Sequence, residues 1–410
     1  THERSSAASD VYKRQVKHSS VNIYLLQKSI DELTLIIMQD YKTEHPFDIA
    51  MSEEQQMTWD MLRKFAETEI RPCARDTEAE GRPSDELLQK MKDLDLISLG
   101  IPEAYGGMEI AQDATSQALA LEALAYGDLS LAMTLSLPML TAKIIAEHGS
   151  EEQKKELLKQ YSDGSLFHVG LGINNSTIMG DALHSSVLVD ESGEELILNG
   201  IKTGIAFAEE ATSFLISATN DSGESNLYVV DKETEGLEII SKEFMGLKGL
   251  PLSEIKLANC KIQASQKLGG HNYSINFQEL LDSSRIGMSA MALGVCQAVL
   301  DYVVPYTNER VAFDEPISNR QSVAFLVADM AIEIEAMRLM VYKAAALKDI
   351  GADFHKQASL THRFAAHHGM KIGTDGVQLL GGHGFTHEHP VELWYRNLRA
   401  IGIFEGGAGV

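Results

Sequence analysis

With 410 residues, 44% of them hydrophobic and 23% charged, the chain is long enough to bury a large core and to divide into two or three domains. A formal charge of −24 opposes association with polyanions, so no nucleic-acid or membrane partner is expected, and an anionic ligand would need a local basic patch. Three scattered cysteines, Cys73, Cys260 and Cys296, form no CxxC pair; no disulfide framework or metal site is expected, and the implied compartment is reducing, here read as cytoplasmic.

Residues 1–40 read as an N-terminal tail. Its first fifteen residues are polar and mixed in charge, and are expected to be disordered or a non-native scar. Ile23 to Met38 is apolar in patches but carries Lys28, Asp31 and Glu32, which predicts an amphipathic helix. No stretch approaches the roughly 18 to 20 apolar residues of a membrane span.

Residues 41–167 form a predicted helical domain. Ser52-Glu-Glu resembles a helix start, followed by Met57, Met61, Leu62 and Phe65 at spacings of three and four. Pro102 to Gly107 is a loop, and Gly149 before Ser150-Glu-Glu-Gln ends one helix and caps the next. Between 168 and 268 the hydrophobic period drops to two. The runs at 185–189, 195–198, 214–217 and 227–230, with turns at Ser192-Gly193 and Asn199-Gly200, predict a small antiparallel β domain. No strand is followed by GxGxxG and a helix, so a Rossmann unit is excluded.

Residues 269–410 are helical again and predict a C-terminal four-helix bundle. Val323, Leu326, Val327, Met330, Ile334 and Met337 form an apolar stripe, with Glu333 and Glu335 on the opposite face. The expected architecture is mostly α with a central small β domain.

The C-terminal end carries the most specific pattern. Gln378-Leu-Leu-Gly-Gly-His-Gly-Phe385 is followed by Glu388-His-Pro-Val-Glu392, then Trp394-Tyr-Arg-Asn-Leu-Arg399, then Phe404-Glu405-Gly406-Gly407. Earlier come Ile101-Pro-Glu-Ala-Tyr-Gly-Gly107, Met245-Gly-Leu-Lys-Gly249, Leu281-Asp-Ser-Ser-Arg285 and Glu309-Arg-Val-Ala-Phe313. Together these resemble the flavin-dependent acyl-CoA dehydrogenases over roughly residues 45 to 410.

The resemblance implies FAD as cofactor, an acyl-CoA substrate, and Glu405 as the base that removes the α-proton. Without the motif, Glu405 reads as a solvated residue near the end of the chain. The resemblance also implies that Arg310, Phe313, Gln321, Gln378, Gly381 and Gly382 reach the flavin of a neighbouring subunit, and that Asn174 and Ala206 lie against it in the β domain. A guanidinium fork suits a diphosphate. Asp282, Arg285 and Phe404 are implied at the substrate cleft, although Asp282 and Arg285 read equally well as an intrahelical ion pair. Some relatives place the base immediately before that arginine; here Ser284 stands there. His383, His387 and His389, like His362, His367 and His368, read as polar residues and not as a metal site.

Two flavin-contacting stretches depart from the family. Where Thr-Glu-Pro, two residues and Gly-Ser-Asp are usual, the chain has Asn174-Asn-Ser-Thr-Ile-Met-Gly-Asp181. Where Trp-Ile-Thr-Asn is usual, it has Gly204-Ile-Ala-Phe207, without the indole and the hydroxyl. Three readings therefore stand: a homodimeric or homotetrameric dehydrogenase passing electrons to an electron-transferring flavoprotein, one subunit of a hetero-oligomer with a paralogue, or a non-redox protein of the same fold that binds or enolises acyl-CoA.

Overall fold

The computed structural model describes residues 51–110, 113–175, 183–193 and 195–404. Helices come first. α1 (Glu53–Phe65) starts at Ser52, whose hydroxyl accepts from the Gln55 N–H while the Gln55 side chain accepts from the Ser52 N–H. A π-helical turn at Ala66–Ile70 leads into α2 (Arg71–Glu80), then α3 (Asp85–Asp93), the short α4 (Leu96–Leu99) and α5 (Ala114–Ala125). α6 (Leu129–His148) is capped by Asp128, and α7 (Glu151–Ser162) repeats the reciprocal cap with Ser150 and Gln153.

The strands follow as β1 (Val169–Gly172), β2 (Leu188–Asp190), β3 (Glu195–Ala206), β4 (Ser213–Thr219), β5 (Ser225–Asp231), β6 (Leu237–Ser241) and β7 (Leu252–Gln263). They form one sheet in the order β1-β4-β2-β3-β7-β6, with β5 on β4. The expectation of a purely antiparallel domain is corrected, because β1 runs parallel to β4 from Val169↔Ser213 to Gly172↔Ile216 and β2 meets β4 in parallel at Leu188↔Thr219. The chain crosses over between those strands, and nothing in a period of two records strand direction. Asn199-Gly200 is likewise no turn. It lies inside β3, where the register against β7 slips between Leu198 and Gly200.

The remaining helices are α8 (Phe277–Glu309), α9 (Gln321–Asp349), α10 (His355–Leu380) and α11 (Val391–Leu398), with a two-strand hairpin, β8 (Val311–Ala312) and β9 (Glu315–Pro316), between α8 and α9. α8 and α5 approach so closely at Gly294 that a Cβ there would lie 2.1 Å from the Glu122 carbonyl oxygen. α6 and α8 are each long and apolar enough to cross a membrane, which corrects the expectation that no stretch is. Both are mostly buried inside the fold, because Leu129, Leu131, Met133, Met291 and Val295 pack into the main core. On α9, Met330, Ile334 and Met337 are buried as expected. Glu333, however, turns toward α10 and pairs with Lys371 at 3.2 Å.

Candidate functional site

One end of the bundle gathers residues expected to serve a neighbour's cofactor. Tyr306, in the last turn of α8, bonds His383 Nδ1 at 2.8 Å and so ties that helix end to the 381–385 loop. Arg310 follows, exposed and with no ion pair among the described residues. Its carbonyl accepts from the Ile317 N–H, which closes the β8–β9 hairpin. At the hairpin tip Phe313 is 86% exposed with φ +58°, and the Arg320 guanidinium stands 4.9 Å from its ring centre. Gln321 and Gln378 are exposed on α9 and α10. At Gly381 (φ +57°) and Gly382 a side chain would meet open space. His383 and His389 stack at 5.3 Å, and His389 Nδ1 takes Tyr302 as partner at 2.7 Å, so these imidazoles serve the loop.

In the β domain a residue that sequence reasoning passed over organises the expected flavin strand. Lys202 is fully buried on β3, and its Nζ donates to the Ile173 carbonyl (3.0 Å) and to Asn175 Oδ1 (2.8 Å). It thereby grips both neighbours of Asn174, whose carbonyl accepts from the Thr203 N–H. A lysine two residues after Asn-Gly was the available signal. Gly180 and Asp181 lie outside the described residues.

Burial pushes the Lys202 amine down to about 7. Below that value the amine is charged in both the folded and the unfolded state, and the folded protein bears the full desolvation cost. As pH rises from 7 toward 10.5 the folded amine is already neutral, the cost disappears, and stability rises. Lys202→Met is expected to remove this rise, which is worth up to ~5 kcal/mol at about 1.4 kcal/mol per pKa unit. Urea unfolding of wild type and variant at several pH values checks it; identical pH dependences would contradict it.

A second slip in the β3 register, between Lys202 and Ile205, contains Gly204 at φ +69°. Ala206 pairs with Leu252 at the end of β3. Phe207 takes φ +51° and stacks on Phe167 with ring centres 3.7 Å apart.

The C-terminal motif is mostly a joint between domains. Arg396 reaches Glu78 on α2 at 2.5 Å, Glu392 at 2.8 Å and the Met245 carbonyl at 3.1 Å, while Arg75 pairs with Glu78 and Glu392. Asn397 donates to Asp128 (3.0 Å) and accepts from the Leu247 N–H (2.7 Å). Beyond α11, the Ile403 and Phe404 N–H groups both donate to the Ala400 carbonyl, and His362 Nε2 bonds the Ile401 carbonyl at 2.8 Å. Phe404 is buried, with its ring against Gly204. Glu405 lies outside the described residues.

On α8, Asp282 is buried and held by Arg285 (3.0 Å), His355 (2.8 Å) and Gln278 (3.0 Å), and Arg285 also donates to Ser359 on α10. The intrahelical pair is therefore present, tied to α10. Ser284 between them is buried, and its hydroxyl has no partner among the described residues. A cavity of about 310 Å³ lies between α4, α5 and α6, with Leu96, Ile97, Leu121, Met139 and Leu140 as apolar walls. Ser136 on its lining reaches Met291 of α8.

Residues 52–165 match the acyl-CoA dehydrogenase N-terminal domain, and residues 275–410 match the acyl-CoA dehydrogenase C-terminal domain. A probable acyl-CoA dehydrogenase of Bacillus subtilis (strain 168) is 33% identical over 365 residues, covering 87% of this chain and 95% of that one. The chain belongs to the acyl-CoA dehydrogenase family. Among solved structures, butyryl-CoA dehydrogenase from Megasphaera elsdenii superposes with a TM-score of 0.77 at 29% identity, over 87% of this chain and 96% of that one. A chain in a structure described as the electron transferring flavoprotein of Acidaminococcus fermentans gives the same TM-score at 31% identity, covering 87% and 95%.

As a member of this family the protein is an FAD-dependent oxidoreductase. The residues present fit that cofactor. At the bundle end an exposed guanidinium with no ion pair among the described residues and two glycines with open space before them suit a diphosphate, which needs charge and close backbone approach. In the β domain Lys202 fixes the segment after β1 that carries Asn174. The space over Gly204 is filled by an aromatic ring, supplied by Phe404 instead of by position 204 itself.

Proposed function

We propose that the protein catalyses α,β-dehydrogenation of an acyl-CoA thioester, with Glu405 as the base that takes the α-proton. The observation that carries this reading is the seating of Phe404. The residue before Glu405 is buried, with its ring against β3 at Gly204. Taking a proton from a weak carbon acid asks for a carboxylate of raised proton affinity, which desolvation supplies. The α C–H bond breaks as its proton passes to Glu405, the β-hydrogen leaves with its electron pair, and the α,β-unsaturated thioester forms. FAD, when bound, supplies the acceptor for that hydride. Ser284, standing where some relatives carry the base, has no carboxylate to offer and leaves the role to Glu405. We assign the acyl chain to the cavity walled by Leu121, Met139 and Leu140. Mass spectrometry of butyryl-CoA incubated with the protein, FAD and a one-electron acceptor is expected to reveal a product two hydrogens lighter; an unchanged thioester, tested also with octanoyl-CoA, would contradict the reading.

Arg310, Gln321, Gln378, Gly381 and Gly382 serve the FAD of a second subunit in this proposal, which makes the working protein a dimer or a dimer of dimers. Phe313 and Phe385, 86% and 88% exposed, give that end of the bundle the apolar surface such a contact buries. Light scattering at micromolar concentration is expected to give at least twice the chain mass; a flavin-loaded, active monomer would overturn it. Arg310→Ala is expected to weaken FAD retention by roughly 10- to 100-fold, since a charge-assisted contact is worth about 1.5 to 3 kcal/mol. Equilibrium dialysis of FAD against the variant measures the loss, and unchanged affinity would remove Arg310 from the site. Electrons leave through an electron-transferring flavoprotein, a role supported by the likeness to the Acidaminococcus fermentans chain.

A further inference from the structure

We infer that Ser283 and Lys348 form a nucleophile–base pair that transfers a short acyl group from a thioester to water, a second activity that uses no flavin. It shares no residue with the dehydrogenation proposed above. Ser283 sits in the second turn of α8 and is 7% exposed, and Lys348 sits in the last turn of α9. The Lys348 Nζ lies 2.5 Å from the Ser283 hydroxyl oxygen. Both side chains line a cavity of about 80 Å³ between α6, α8 and α9, with Leu140, Ile144 and Leu280 as its apolar walls. A single water needs only about 10 to 15 Å³ of such space, so a short acyl group has room beside the hydroxyl.

A serine hydroxyl is a weak nucleophile until a neighbouring base takes its proton. A charged amine only donates to that oxygen, whereas a neutral amine accepts from it. Burial, and after it the charge of Lys143, push Lys348 down to about 8, against the pull of Glu147, Glu279 and Asp349. A fraction of the amine is therefore neutral near pH 7. The other groups around it are engaged elsewhere. His148 Nδ1 lies 2.8 Å from the Tyr273 hydroxyl, and Asp349 accepts from the Ala114 and Thr115 N–H groups of α5 at 2.6 and 3.1 Å. Lys143, which donates to Gln117 at 3.2 Å, lines the same cavity and supplies positive charge where an oxyanion would develop. In the first step the Ser283 proton passes to Lys348 Nζ as the serine oxygen bonds to the thioester carbonyl carbon. The C–S bond then breaks, and the leaving thiolate takes that proton from the ammonium. In the second step water bonds to the ester carbonyl carbon and gives a proton to the same amine. The C–O bond to Ser283 breaks, and the proton returns to the serine oxygen.

Acetyl-CoA tests the pair in the FAD-loaded enzyme, because it has no β-carbon and gives dehydrogenation nothing to oxidise. Free thiol is followed with a chromogenic disulfide, and samples quenched in acid are searched by mass spectrometry for acetyl on Ser283. Wild type is expected to release thiol at a rate that rises with pH through about 8, where the amine becomes neutral. Ser283→Ala and Lys348→Met are each expected to lose about 100-fold or more of that rate, with melting temperature and FAD content reporting that the fold is kept. Lys348→Arg, which keeps the charge and does not give up its proton, is expected to be as slow as Lys348→Met. Thiol release no faster than without enzyme, or wild-type release from a folded Ser283→Ala, would overturn the pair. Acetyl on Lys348 in place of Ser283 would also overturn it, by making the amine the nucleophile. The acetylation site and the pH profile are read in wild type, so the pair stands or falls even where a variant does not fold.

Discussion

Glu405→Gln is expected to retain FAD and acyl-CoA while losing dehydrogenation by about 10²- to 10⁴-fold, the usual cost of removing a positioned general base. The amide keeps the shape and most of the hydrogen bonding of the carboxylate but cannot accept the α-proton. Exchange of the α-hydrogens of butyryl-CoA in D₂O, followed by mass spectrometry, isolates this step from hydride transfer and from reoxidation. Wild type is expected to exchange when turnover is blocked, and the variant is not. If wild type exchanges α-protons yet never holds FAD, the enolising reading replaces the redox one. Flavin that is retained only on co-expression with a paralogue would favour the hetero-oligomer. Equal exchange in wild type and Glu405→Gln would remove Glu405 from catalysis.

Arg338→Leu is expected to destabilise the fold by about 3 to 5 kcal/mol, because it strands a buried carboxylate. Glu122 on α5 is 1% exposed and is held by Arg338 and by the Tyr342 hydroxyl. Arg338 also donates to Gln297 Oε1 (2.9 Å), Gln297 donates to Asp301 (2.7 Å), and Asp301 accepts from the Tyr126 hydroxyl (3.0 Å) and Arg63 (3.1 Å). This polar chain links α1, α5, α8 and α9 across the helical part of the fold. Once Arg338 is gone, the Glu122 charge has no cationic partner among the described residues in a low-dielectric surround. Urea unfolding at saturating FAD measures the loss. Glu122→Gln/Arg338→Leu, which removes both charges, is expected to recover much of it; a single variant within about 1 kcal/mol of wild type would contradict the assignment.

The architecture was legible because local rules and packing agree over most of the chain. Ser52 and Ser150 announce helix starts through side chains that bond the first turn, and both caps form as expected. The strands at Phe214 and Leu227 carry enough apolar residues to stand out, and each lies in the sheet. β6 and β7 were missed. Alternation in Leu252–Gln263 is interrupted by Asn259 at φ +54°, and Leu237–Ser241 is short and only half-buried. The parallel pairing of β1 with β4 depends on a chain crossing that no local pattern encodes.

The site was legible in unequal parts. Arg310, Gly381 and Gly382 stand out because their motif residues are exposed, and the fold leaves them open. Arg396 and Glu392 belong to the same motif, yet they are engaged in holding α11 to α2, so motif membership alone did not separate joint from site. Lys202 is hard to read from sequence because its importance lies in burial and in two acceptors supplied by the segment just after β1. Gly204 read as an absence. Its meaning depends on a ring two hundred residues away, and sequence spacing does not report that contact.

Anaerobic titration of the purified, FAD-reconstituted protein with butyryl-CoA and octanoyl-CoA, with the visible flavin absorbance as the readout, decides whether the protein oxidises acyl-CoA through Glu405. Bound flavin is expected to bleach stoichiometrically on addition of a saturated thioester, and Glu405→Gln, equally loaded, is expected not to bleach. Protein that takes up no FAD, or whose flavin stays oxidised in the presence of every saturated acyl-CoA, would contradict it.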